Sequence, residues 1–506
     1  MSLVNEVIGF FMKSRIGRID HFRNYPIETQ FNVFHNLIER ARFTEFGQHY
    51  GFSDIKTIKD FQERVPVVTY EEFFPWMERV LKGEKNIAWP SEITWFSKSS
   101  GTTNARSKFI PVSEEALHEC NYRGGRDVLS LYVENTPNTQ LFTGKSISIN
   151  GSLHPNPYNE SVEAGDVSAI ITKNLPKWAE YFRTPPVEVA LLDKWEDKIN
   201  YMIQHCSSEN IVAMLGVPTW GVVLIEKIME ETGTKSALDF WPNFEVFFHG
   251  AVSFTPYRTM FKERLFPSSQ VKYMESYNAS EGYFAIQDDL SLQDQMLLML
   301  DYGVFFEFIP AEDWDKSFPK ALTLDEVELD KNYALVISTN AGLWRYKLGD
   351  TIKFTSKYPF RIKISGRTKH FINVFGEELM VENADQALSK VCQELNLEVL
   401  EYTAAPIFME SEAKGGHEWA IELAHDPVNP QEFIQKLDQS LREINSDYDA
   451  KRHRDLALQL PVIHFCPKGT FMKWLRKNEK LGGQHKVPRL SNDRKLLEEI
   501  LEMTES

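Results

Sequence analysis

Residues 93–134 read "ITWFSKSSGTTNARSKFIPVSEEALHECNYRGGRDVLSLYVE". A short apolar run leads into a loop of serine, glycine and threonine. A helical pattern follows, with Ser113 as its N-cap and Glu114 and Glu115 in its first turn. The same order of strand, loop and helix returns at 210–233, "NIVAMLGVPTWGVVLIEKIMEETG", and at 244–265, "FEVFFHGAVSFTPYRTMFKERL". This alternation predicts an α/β core whose ligands sit at the carboxyl ends of its strands.

On the N-terminal side, residues 27–42 carry Phe31, Phe34, Leu37 and Ile38 at helical spacing, and "YEEFFPWMERVLKG" (70–83) begins a second helix-like segment. Beyond about residue 295 the runs "MLLMLDYGVFFEFI", "YALVISTNAG", "LWRYKLGDTIKFT" and "FRIKISG" are short, apolar or β-branched and divided by turn residues. They predict an antiparallel sheet or small barrel appended to the core. After "SGRTKH", the helices "VENADQALSKVCQELN" and "NPQEFIQKLDQSLREIN" alternate with the strands "TAAPIFM", "EWAIEL" and "PVIHFC". The expected division is a large N-terminal α/β domain, residues 1–367, with sheets flanked by helices and a small β-barrel-like part, and a smaller C-terminal α+β domain, residues 368–506.

The chain has 506 residues, 42% hydrophobic and 25% charged, enough for a large core without disulfides or structural metal. Its formal charge of −16 repels polyanions, which argues against nucleic acid as a partner. Cys120, Cys206, Cys392 and Cys466 are scattered with no C-x-x-C pair, as expected of buried thiols in a reducing cytosol. The N-terminal apolar patch is too short to span a membrane and lacks a basic leader and a cleavage site. A cytoplasmic monomer with no membrane partner is expected.

Four stretches carry candidate chemistry. The loop at 99–108, "SSGTTNARSK", is not a P-loop: Gly101 is followed by Lys108 with no second glycine, and Phe109 stands where a hydroxyl is needed. Ser99, Ser100, Thr102 and Thr103 still offer hydroxyls, Gly101 a close backbone approach, and Arg106 and Lys108 charge, so the loop is either an anion cradle or a polar surface turn. In "YMESYNASEGYFAIQ" (273–287) a strand ends at Tyr277 and delivers Ser280 and Glu281. A ring there can stack a base, a hydroxyl can donate to phosphate and a carboxylate can hold Mg²⁺, although Tyr and Glu near a turn are commonly structural. In "LWRYKLGDTIKF" (343–354) Gly349 and Asp350 read as a turn, where Asp350 either bonds its own backbone or accepts from ribose hydroxyls. In "GTFMKWLRKNEKLGGQHKVPRL" (469–490) Gly482 and Gly483 precede Lys486, either a solvated charge or a lysine on a movable loop.

In this order, these stretches resemble the adenylate-forming superfamily of acyl-CoA synthetases, luciferases and adenylation domains. Through "SSGTT", "GVPTW", "WPNFEVFFHGAV", "YNASE", "YKLGD", "SGRTKHFINVFGEEL" and "GGQHKVPR", the chain is more closely similar to the auxin-responsive Gretchen Hagen family of acyl acid amido synthetases. The resemblance implies ATP and Mg²⁺ as cofactors. It implies that Ser99, Ser100, Gly101, Thr102 and Thr103 hold the ATP phosphates, and that Gly250 and Ala251 line the adenine while Tyr277 stacks on it. It further implies Ser280 at the α-phosphate, Glu281 on Mg²⁺, Asp350 on the ribose, Arg367 as the hinge-region arginine and Lys486 as the catalytic lysine. The C-terminal domain would then be mobile, swinging about Thr368 and Lys369. The chain departs from the pattern at Asn104 and Ala105, where the superfamily or its plant members have glycine; asparagine tolerates a tight turn better than most residues.

The implied reaction is attack of a carboxylate on the α-phosphate of ATP, release of pyrophosphate, and transfer of the acyl group to an amine, an amino acid by resemblance. An acyl-CoA ligase shares the first step, and a non-catalytic acyl- or nucleotide-binding protein would share the fold. Arg123, Arg126, Val217 and Trp220 are candidate acyl-pocket residues, although solvated arginines and core packing explain them equally well.

Overall fold

A computed structural model describes residues 9–504, apart from 11, 13, 100–107, 157, 160–161, 193, 315, 317, 368–370, 410–413, 454–456 and 479–486. The N-terminal lead-in is helical as its spacing predicts. Helix Pro26–Ala41 has proline at its start, Glu28 in its first turn and Arg40 in its last, each where the helix dipole and backbone favour it. It buries Phe34, Leu37 and Ile38, whereas Phe31 is exposed. Helix Tyr70–Leu81 is set by a capping box between Thr69 and Glu72.

Eleven strands form the central sheet. At one end five run parallel, in the spatial order Arg183–Thr184, Lys145–Ser148, Ile211–Gly216, Val246–Gly250 and Lys272–Ala279. From there the neighbours are antiparallel: Gly282–Ile286, Met296–Leu298, Phe360–Arg367, Tyr346–Lys357, Asn332–Thr339 and Val304–Pro310. The strand-rich region is therefore the continuation of the parallel sheet and not an appended unit. Lys272–Ala279 and Tyr346–Lys357 are four steps apart, about 19 Å across a flat sheet. Tyr277 nevertheless hydrogen-bonds Asp350, so the antiparallel half curls back over the end of the parallel half.

The opening stretch differs from its sequence reading. Lys108–Val112 pairs antiparallel with Trp95–Ser99, from Trp95↔Val112 to Ser99↔Lys108, so a strand stands where the sequence reading passes from loop to helix. The pair belongs to a separate four-stranded sheet with Glu163–Gly165 and Leu153–Pro155. The predicted cap holds: the Ser113 hydroxyl accepts from the Ala116 N–H at 2.9 Å. The other two predicted units stand as read, with helix Pro218–Thr232 ending on Gly233 in the left-handed conformation.

The C-terminal part is α+β. Strands Val399–Ile407, Gly416–Leu423 and Val462–Cys466 form one sheet, packed by helices Val381–Leu395 and Pro430–Ile444. One apolar cluster joins the N-terminal helices to the antiparallel half of the central sheet; a second runs from the helices beside the parallel half into the C-terminal part. The Tyr257 hydroxyl bridges that junction, donating to the Val374 carbonyl at 2.6 Å while Thr219 lies 3.0 Å away. The four cysteines are free and buried. Among the described residues no helix is long and apolar enough to cross a membrane.

Candidate functional site

The site lies at the carboxyl ends of the parallel strands. Gly216 is the Cα partner of His249, and Gly250 that of Ser276, so the first two strands end nearly level and the third runs on to Ala279. A Cβ at Gly250 would lie 2.4 Å from the Ser276 carbonyl oxygen, a backbone atom, which is why this position requires glycine. Ala251 has φ +69°, a left-handed conformation that turns the chain sharply away from its strand.

The third strand extends further than its sequence suggests. It runs through Asn278 to Ala279, and Ala279 pairs with Gly282, so Ser280 and Glu281 are the two-residue turn of a hairpin. Both are half-buried. Tyr277 is buried, packs edge-on to Phe284 with ring centroids 5.1 Å apart, and donates its hydroxyl to the Asp350 carboxylate in a short contact.

Gly349 and Asp350 do not form a turn. They lie inside the twelve-residue strand Tyr346–Lys357, where the register slips: Ala334 pairs with Thr351, and Val336 with Lys347. Gly349, at φ +97°, supplies the irregular backbone, and the extra residues form a bulge. A bulge re-aims a side chain, and Asp350 reaches Tyr277. On the other edge Asp350 is the Cα partner of Arg367, the last residue of its strand.

The base of the Ser/Thr loop joins the same constellation. Lys108 Nζ is 3.5 Å from the Tyr346 hydroxyl, which in turn is 3.5 Å from Glu281 Oε1. The ammonium also lies 5.7 Å from the centroid of the Tyr70 ring and 6.0 Å from that of Tyr346. Burial pushes the Tyr70 phenol up to about 12, with a small contribution from Glu281, so Tyr70 stays protonated while accepting from the Phe109 N–H at 2.8 Å. Residues from four of the sequence motifs thus converge: Lys108, Gly250, Tyr277 to Glu281, and Asp350.

Beside them opens a cavity of about 700 Å³, lined among others by His249, Arg258, Tyr273, Glu275, Gln287 and Asp294. His249 and Glu275 are Cα partners on neighbouring strands, immediately before Gly250 and two residues before Tyr277. Burial, with the Arg258 charge added, pushes the His249 imidazole down to about 3 and keeps it neutral. Burial, reinforced by Asp294, pushes the Glu275 carboxyl up to about 7. Sequence reasoning passed over both residues. The available signal was a polar residue inside the otherwise apolar runs "VFFH" and "YMES".

Other predicted residues stand elsewhere. Arg123 donates to the Asp301 carbonyl at 2.7 Å, and Arg126 is exposed. Val217 precedes helix Pro218–Thr232 without a side-chain bond to it, and Trp220 is buried in its first turn. Ser100, Gly101, Thr102, Thr103, Asn104, Ala105, Thr368, Lys369 and Lys486 lie outside the described residues, and Ser99 and Arg367 are described in their backbone alone.

Comparison with known proteins matches the GH3 family N-terminal domain to residues 15–271, the GH3 family central domain to 297–367 and the GH3 family C-terminal domain to 382–495. An indole-3-acetic acid-amido synthetase, GH3.3 of Arabidopsis thaliana, is 24% identical over 536 residues, covering 91% of this chain and 88% of its own. A jasmonoyl–L-amino acid synthetase, JAR4 of Nicotiana attenuata, is 23% identical, covering 91% and 90%. Among solved structures, the GH3.15 acyl acid amido synthetase in complex with 2,4-DB superposes with a TM-score of 0.63 at 16% identity, over 98% of this chain and 96% of that one. A 2-hydroxyisobutyryl-CoA ligase gives 0.53 at 12% identity, over 99% and 93%. These two likenesses concern the fold.

Proposed function

Since this chain belongs to the GH3 family, we propose that it adenylates a carboxylic acid with ATP and passes the acyl group to an amino acid, forming an amide. The observation that carries this reading is the contact between Tyr277 and Asp350, which brings motifs far apart in sequence into one site on the curled sheet. Relatives named as an indole-3-acetic acid-amido synthetase and a jasmonoyl–L-amino acid synthetase support the same chemistry.

A carboxylate is a poor electrophile, because attack would place a second negative charge beside the first and expel oxide. Adenylation removes both obstacles. The acid's oxygen attacks the α-phosphorus, the bond to pyrophosphate breaks, and the acyl carbon gains AMP as a leaving group. An amine nitrogen then attacks that carbon, loses its proton and displaces AMP. Charge accumulates on phosphoryl oxygens in the first step, so positioned donors dominate catalysis.

In this reading the Ser99 to Thr103 loop holds the phosphates and Lys108, at its base, adds positive charge. Gly250 and Ala251 present backbone to the base, Tyr277 stacks on it, and Asp350 exchanges its bond with Tyr277 for the ribose hydroxyls. The cavity before Glu275 accommodates the outer edge of the base. Ser280 faces the α-phosphate, and Lys486 serves the adenylation step from a C-terminal domain that turns about residues 368 and 369.

Among the described residues no three His, Cys, Asp or Glu side chains gather as a metal cage. Mg²⁺ needs none, since it takes one or two carboxylates together with substrate phosphates. Glu281, a carboxylate at the hairpin turn, fits that donor set and would hold the ion, whose charge would offset that of the phosphates.

Acid-dependent exchange between ATP and labelled pyrophosphate, screened across aromatic, indolic and fatty acids, tests the first step. Mass measurement of the product with amino acids or CoA as acceptor tests the second. An amide supports the proposal, a thioester replaces it with acyl-CoA ligation, and ATP binding without exchange marks a binding protein.

A further inference from the structure

Lys451 lies in helix Ser446–Arg452 of the C-terminal part and is only 7% exposed. Among the described residues its ammonium has no carboxylate or carbonyl partner; it faces the Trp220 ring, 5.4 Å from the centroid. A cation on a nearly buried residue, with no counter-charge among the described residues, favours a bound anion, because one aromatic face replaces hydration incompletely. The adjacent carboxylate does not serve it. Glu377 is committed to the His417 imidazole at 2.8 Å and to the Phe375 N–H at 2.7 Å.

The ammonium also stands at the start of a long helix. Helix Pro218–Thr232 has fifteen residues, begins at Val217 and has no side-chain cap, so its first-turn N–H groups carry the positive end of the helix dipole uncapped. A Cβ placed on Gly376 would lie 3.7 Å from Lys451 Nζ and 3.9 Å from Val217 Cγ1, which puts the cation beside the helix start. Two independent sources of positive potential, one from each domain, therefore flank Gly376.

The helix start belongs to the edge that carries the adenylation residues. Val217 follows Gly216, the Cα partner of His249, so it is one strand away from Gly250 and two from the strand leading to Ser280. At about 4.8 Å per strand, the helix start lies roughly 10 Å from Ser276, the register partner of Gly250, and Ser280 follows four residues, about 13 Å, further along that strand. Trp220 and Val217 supply apolar surface beside the positive charge.

We propose that Lys451 and the first turn of helix Pro218–Thr232 bind the carboxylate of the acceptor amino acid, holding its amine toward the activated acyl carbon. This rests on the amide-forming reading above. It makes Lys451 a substrate-binding residue contributed by the C-terminal domain, and it distinguishes amino acids from simple amines.

The test compares kcat/KM for the best of the twenty L-amino acids with that for its α-carboxamide. A lysine–carboxylate contact of this type is worth about tenfold to a hundredfold in preference. Wild type is expected to prefer the amino acid by that margin. Lys451→Met should remove the preference through a raised amino-acid KM, and Lys451→Arg should restore most of it. Because each variant's carboxamide rate is its own reference, partial misfolding cancels. Should Lys451→Met fail to fold, Val217→Asp places a competing carboxylate at a position where Asp also caps the helix, and should abolish the preference. A preference unchanged in these variants overturns the site. So does a raised KM for the acyl acid in pyrophosphate exchange with the acceptor KM unchanged. Absence of acid-dependent exchange in wild type defeats the amide-forming reading instead, so the two failures are told apart.

Discussion

The two halves of the central sheet reach the same site by different means. The parallel half delivers turns at successive strand ends: Val217, then Gly250 with Ala251, then Ser280 with Glu281 on a strand that runs three residues past Ser276. The antiparallel half has no such edge, because its neighbours run in opposite directions. It contributes from mid-strand, through the bulge at Gly349 that aims Asp350 at Tyr277 and through the curl that carries it there. The parallel half thus offers close-packed backbone at Gly250 and Ala251 as well as side chains, whereas the antiparallel half offers the Asp350 side chain. The first should be sensitive to added atoms, and the second to removed ones.

The largest expected effect lies in neither half. Lys486→Ala should lower pyrophosphate release by about 100-fold, the loss typical of one well-placed donor to developing charge, while ATP binding in equilibrium dialysis stays near wild type. Equal loss of both would mean that the sheet site cannot form without the loop. Next comes Gly250→Ala, whose Cβ meets the Ser276 carbonyl oxygen at 2.4 Å. Overpacking against backbone should cost about 2 kcal/mol, read as a lower midpoint in urea, with weaker ATP binding. A neutral result would show that these strand ends separate freely.

Gly349→Ala has open space around its Cβ but φ +97°, so it should cost about 1 kcal/mol through strain alone. A cost exceeding that of Gly250→Ala would reverse the comparison. A further effect concerns pH. The folded state holds Glu275 near 7, above the ordinary carboxyl range, so it binds the proton more tightly than the unfolded chain does. The stabilisation is present below the unfolded value and is lost as pH rises through about 7. Glu275→Gln should flatten the fall in melting temperature between pH 5 and 8; an unchanged slope would mean that the carboxyl is solvated.

Much of this architecture was legible from local pattern. The units at 210–233 and 244–265, the Ser113 cap and the C-terminal helices follow from periodicity and capping, which act over a few residues. What escaped depends on distant partners. The run "KFIPV" contains Pro111, which argues against a strand, yet it pairs at the end of its sheet with Trp95–Ser99. "GD" reads as a turn, and only the pairing with Ala334 and Val336 reveals a bulge. Arg123 looked available for a substrate until Asp301, 178 residues further on, supplied its acceptor. His249 and Glu275 become neighbours only through strand register.

The account stands most directly on Asp350 as the residue that joins the two halves around a nucleotide. Calorimetric titration of ATP into wild type and Asp350→Ala measures this. The account predicts a dissociation constant raised about tenfold, equivalent to ~1.4 kcal/mol, with thermal unfolding still cooperative. An unchanged dissociation constant would contradict it, leaving the contact with Tyr277 as a structural link between the halves of the sheet.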